Sequence, residues 1–126
     1  MVRVALCLAG AWRDWPASWD PINKFIVEPL QDVDIYAISD TVRSGQHGKA
    51  DPGWTVARMK STFGTHFKAG ERLGPAQLKN VSGESWPEIA AAQAALGSQG
   101  ATVFSYLYKI WRCGQLIHKS GIKYDA

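Results

Sequence analysis

The 126 residues are 46% hydrophobic and 20% charged, a balance that suits one compact domain with a real core and excludes a two-domain or a disordered chain. The net charge of +3 is gathered in the middle third, where Arg43, Lys49, Arg58, Lys60, Lys68, Arg72 and Lys79 face only Asp51 and Glu71. Their irregular spacing, with no aromatic-basic repeat, reads as solvated surface and argues against a nucleic-acid-binding domain.

The run Val2 to Ala9, closed by Gly10, is almost continuously apolar, as expected of a central parallel strand covered on both faces. After a loop over Gly10 to Ser18, Asp20 and Pro21 offer a cap and a first-turn proline for a helix. Ile22, Phe25 and Ile26 are expected on its inner face, and Pro29 should end or kink it. Val33 to Ser39 is the second predicted strand. Asp51-Pro52 repeats the cap-and-proline device, with Val56, Met59 and Phe63 at helical spacing up to Gly64. Residues 65–73 predict a third strand, on the apolar positions Phe67 and Leu73.

Ser85-Trp86-Pro87-Glu88 has the form of a capping box before an alanine-rich helix ending near Gly97. The longest predicted helix runs from Thr102 to His118, with an inner stripe of Val103, Leu107, Ile110, Gly114 and Ile117, widened by Phe104 and Trp111. Lys119 and Gly121 supply its stop, and Lys123 to Ala126 begin another strand. Strands alternating with helices, over connections too long for hairpins, predict a parallel α/β sheet flanked by helices in a single domain spanning 1–126.

Cys7 and Cys113 sit far apart in apolar settings without a C-x-x-C pair. They read as two separate buried thiols, in keeping with a reducing compartment. No membrane-spanning run or secretory signal pattern is visible.

Ligands of open parallel sheets gather beyond the C-terminal ends of the strands. Two loops qualify. Gly10-Ala11-Trp12-Arg13 offers close backbone approach at Gly10 and a guanidinium at Arg13 for a phosphate. At the end of the second strand, Asp40 is suited to ribose hydroxyls. Neither a G-x-G-x-x-G nor a P-loop pattern is present. Asp32-Val33-Asp34 spells D-x-D, but at the wrong end of its strand for a ligand, and reads as turn chemistry. His47, His66 and His118 lack partners at metal-ligand spacing, and no serine sits in a nucleophile elbow.

The stretches RVALCLAGAWRDW, IVEPLQDVDIYAISD and YLYKIWRCGQLIHKSGIKYDA resemble three successive blocks of a poorly characterised glycosyltransferase-like family. That family opens V-A-(V/L)-C-(L/I)-(S/A)-G-x-x-R. The resemblance implies a Rossmann-like sheet of the GT-A kind that binds a nucleotide-diphosphate sugar, with Gly10 and Arg13 toward the diphosphate and Asp40 toward the nucleoside. The family continues Y-D into R-x-R-x-D, its metal- and donor-holding segment, whereas this sequence has only Tyr124-Asp125. The expectation is therefore an N-terminal half of the fold, incomplete at its C-terminus and inactive alone. A divalent cation such as Mn or Mg would serve only if the other half were supplied. The alternative is a non-catalytic structural or interaction subunit that associates with a protein partner or with itself through an exposed sheet edge.

Overall fold

In the computed structural model, residues 2–10, 18–40, 55–73 and 98–126 are described. Strand β1 spans Val4–Gly10, β2 Val33–Asp40 and β3 Phe67–Leu73. All pair in parallel in the order β1-β2-β3. The central one of the three is β2 and not β1: every residue from Val33 to Ser39 is buried, whereas β1 is half-buried. The predicted third strand forms as expected, two residues later than Thr65, because Gly64–His66 first makes a 3₁₀ turn.

Side-chain alternation divides the core in two. Val4, Leu6 and Leu8 of β1 lie on one face with Val33, Ile35 and Ala37 of β2. Ala5, Cys7 and Ala9 lie on the other with Tyr36 and Ile38. This period of two lets a parallel sheet bury both faces. The first face is covered by helix α1, built from the turns Trp19–Ile22, Asn23–Val27 and Glu28–Leu30, and by α2, Val56–Phe63. The second is covered by α3, Ser98–Lys119, which lies over β1 and β2.

The middle turn of α1 is a π turn, immediately before Pro29. Proline has no N–H and its ring clashes with the carbonyl four residues back, and a widened turn is one way for a helix to absorb that defect. The inner face shifts in consequence. Val27, five residues beyond Ile22, is buried, while Phe25 is 70% exposed and Ile26 also faces solvent, contrary to the expected 22-25-26 face. The helix begins after Ser18 rather than after Asp20. It ends at Gln31, whose φ of 61° and ψ of −54°, with Asp32 N–H donating to Leu30 O at 2.7 Å, make a γ-turn.

Helix α2 is capped by the Thr55 hydroxyl, which accepts from Arg58 N–H at 3.2 Å. Asp51 and Pro52, the expected start, lie outside the described residues, as does the predicted alanine-rich helix. Met59 and Phe63 point inward as predicted, but Val56 is exposed. Gly70 of β3 allows α2 close to the sheet, since a Cβ there would stand 2.7 Å from Met59 Sδ.

The expected inner stripe of α3 is overturned in its middle, while Ile117 packs against the core as expected and the side chains of Val103 and Phe104 lie outside the described residues. Leu107, Ile110 and Trp111 are exposed, while Tyr108, Lys109 and Cys113 are buried, with Leu116 and Ile117 partly buried against the same core. An apolar stripe on both sides of a helix leaves its rotation undetermined by periodicity. Arg112 decides it by reaching Glu71 of β3, with Nε donating to Oε2 at 2.8 Å and Nη2 to Oε1 at 2.5 Å. This bond to Glu71 is the main reason the guanidinium is held above its ordinary pKa.

The reading of Cys7 and Cys113 as separate thiols is also overturned. They form a disulfide between β1 and α3, with 6.2 Å between their Cα atoms. A separation of 106 residues hides such a pairing from sequence, because only the stacking of α3 on the sheet brings the two together.

Candidate functional site

The register of the sheet assembles its C-terminal edge. Gly10, the last residue of β1, stands opposite Ser39, which stands opposite Arg72. Asp40, the last residue of β2, stands opposite Leu73. Two of the sequence-predicted residues, Gly10 and Asp40, thus reach the same edge on adjacent strands. Arg13 lies outside the described residues. Ser39 is buried, and the Glu71–Arg112 pair braces β3 against α3 beside this edge.

The course of the chain marks one place on that edge. From β1 through β2 to β3 the strands advance in one direction. Helix α3 then carries the chain back across the opposite face, over β2 and β1, and residues 125–126 come down on the far flank of β1. Asp125 N–H donates to Arg3 O and Ala5 N–H to Ala126 O, both at 2.8 Å. The paired positions advance together along both segments, so the tail runs in the direction of β1, although residues 123–126 form no strand of their own. The spatial order is therefore β3-β2-β1-tail, and the order reverses at β1. In open α/β sheets such a reversal opens a crevice at the strand ends, because the connections on its two sides leave for opposite faces. Gly10 is the C-terminal end of that strand, whereas the tail pairs beside Arg3 and Ala5 at its N-terminal end.

No family model, curated protein or solved structure matches this chain.

The opposite end of the sheet holds a buried polar network that sequence reading reduced to turn chemistry. Asp34 lies within β2 and is 6% exposed. Its Oδ2 accepts from Arg3 Nη2 at 3.1 Å and from the Tyr124 hydroxyl at 2.7 Å, and Lys68 Nζ is 3.7 Å from Oδ1. Since the single Tyr124 proton goes to the carboxylate, Tyr36 donates its own to the Tyr124 oxygen across 2.7 Å. Burial, reinforced by these bonds to Asp34 and Tyr36, holds the Tyr124 phenol protonated well above the ordinary tyrosine range. A carboxylate engaged by two cations and a phenol does not fit a divalent-cation ligand. Asp32, the other half of D-x-D, lies 3.8 Å from Arg3 Nε. The network instead ties the tail to β1 and β2. His66 at this end has its Nδ1 2.8 Å from Val33 O, a contact that occupies one ring nitrogen.

Arg72, one of the basic residues of the middle third, stands beside Ser39 near the C-terminal end of β3. Cys7 and Asp34 leave no signal of their contacts, since their partners are distant in sequence. Among the described residues, no helix is long and apolar enough to cross a membrane.

Proposed function

We propose that this chain is a nucleotide-sugar-binding α/β unit of the GT-A-like, glycosyltransferase-like kind, with the donor diphosphate held by the loop that follows Gly10. The observation that carries the reading is the reversal of strand order at β1, with Gly10 at its C-terminal end. A glycine there gives a phosphate access to backbone N–H groups, and Arg13, three residues on, brings a guanidinium able to form a bidentate pair. Asp40 at the neighbouring strand end is suited to the ribose hydroxyls. The resemblance of the three sequence blocks to glycosyltransferase-like proteins supports a sugar nucleotide over a dinucleotide, whose G-x-G-x-x-G signature is missing.

Calorimetric titration with uridine and guanosine diphosphates tests this directly. Arg13→Ala should weaken binding by roughly 1.5–3 kcal/mol, the range of a charge-assisted hydrogen bond. No binding of either diphosphate by the native chain, or equal affinity in the variant, would remove the assignment. A second reading, a non-catalytic interaction subunit, is favoured by the apolar side chains that α3 turns outward, Leu107, Ile110 and Trp111. Concentration-dependent sedimentation that Trp111→Ser abolishes would distinguish it.

A further inference from the structure

We propose that the Cys7–Cys113 bridge is a reversible thiol–disulfide clamp that fastens α3, and the tail behind it, to β1. The two cysteines are the only ones in the sequence, and their Cα separation of 6.2 Å lies in the range a disulfide spans. The bridge joins an outer face of the sheet to the helix that covers it, near the middle of β1 and the last third of α3. The segment after α3 returns directly to β1, where Asp125 bonds to Arg3 and Ala126 to Ala5. Holding α3 therefore also holds the tail.

The reduced state has a place in the same fold. Cys113 Sγ lies 3.5 Å from the Tyr36 carbonyl oxygen, so a free Cys113 thiol has an acceptor close by once the two sulfurs move apart to non-bonded contact. Cys7 packs against the apolar cluster that holds Tyr36, Ile38 and Cys113, surroundings that accept a small thiol. The Glu71–Arg112 and Asp34–Tyr124 bonds keep α3 and the tail attached when the bridge opens. Opening then loosens the layer without dissolving it.

Cys113 is fully buried and Cys7 is half-buried, so the attack of an incoming thiolate is placed at Cys7. It forms a mixed disulfide there and displaces the Cys113 thiolate, which takes up a proton. The second thiol of a dithiol then displaces Cys7. The reductant leaves as a cyclic disulfide and its two protons end on Cys7 and Cys113.

Intact-mass measurement after alkylation of the denatured chain reads the bond. The air-oxidised protein should take up no alkyl group, and protein treated with dithiothreitol should take up two. Hydrogen exchange reads the clamp. On reduction, the amides of residues 107–119 and 125–126 should exchange faster by about tenfold or more, because a constraint across a long loop is lost, while residues 35–38 of β2 change less. Removing the reductant should restore the slow exchange. Cys113→Ser should show the fast pattern whether or not reductant is present, and if that variant does not fold the native chain still decides. Two alkylated cysteines before reduction, a bridge between two chains, or α3 exchange that reduction leaves unchanged would each overturn the proposal.

Discussion

Gly70 offers the sharpest test of how α2 meets the sheet. An alanine Cβ at this position would stand 2.7 Å from Met59 Sδ, 3.1 Å from Phe67 Cε2 and 3.2 Å from Ala37 O. The third of these is backbone of the central strand and cannot retreat. Met59 is fully buried, so its side chain has no solvent to swing into. Overpacking of this kind costs about 1–3 kcal/mol, and the stiffer unfolded chain offsets about 0.4–1 kcal/mol of it. The expected net loss for Gly70→Ala is roughly 1–2 kcal/mol, or on the order of 3–10 °C in Tm for a chain of this size. Met59→Ala alone should cost about 2–5 kcal/mol through the space it leaves. Combined, the two changes relieve each other, because the new methyl group enters that space. Urea unfolding of the four proteins should then give a double variant more stable than additivity requires by at least about 0.5 kcal/mol. A Gly70→Ala protein as stable as the parent, or strictly additive losses, would refute the packing described.

Two further outcomes follow from the rotation of α3 and from the buried phenol. Leu107→Ala should change stability by no more than about 0.5 kcal/mol, since Leu107 faces solvent, whereas Ile38→Ala should lose about 2–5 kcal/mol; urea midpoints showing the reverse order would mean that α3 is turned the other way. The Tyr124 phenol is held protonated mainly by burial, so its pKa is higher in the folded than in the unfolded chain. That difference leaves stability intact below about pH 10 and removes it as pH rises beyond. Tyr124→Phe should therefore flatten the alkaline fall in stability, and an equally steep fall in the variant would count against the network.

Features set by near neighbours are legible in the sequence. The apolar runs at β1 and β2, closed by Gly10 and Asp40, announce parallel strands because both faces of each must be buried. Gly121, with φ of 70°, stops α3 where a residue without a Cβ is needed. The C-terminal edge of the sheet is legible to the same extent. The apolar runs that precede them mark Gly10 and Asp40 as strand ends.

The sequence by itself determined the alternation of strand and helix, the parallel pairing and the residues that terminate each strand, since all of these depend on neighbours a few positions apart. Only the tertiary structure decided which strand is central, how far α1 rotates ahead of Pro29, and which of two apolar stripes α3 turns inward. It alone joined Cys7 to Cys113 and Asp34 to Tyr124, and it alone set the reversal of strand order at β1. These depend on contacts between residues as many as 122 positions apart, where the chain's own periodicity carries no information about what will lie opposite.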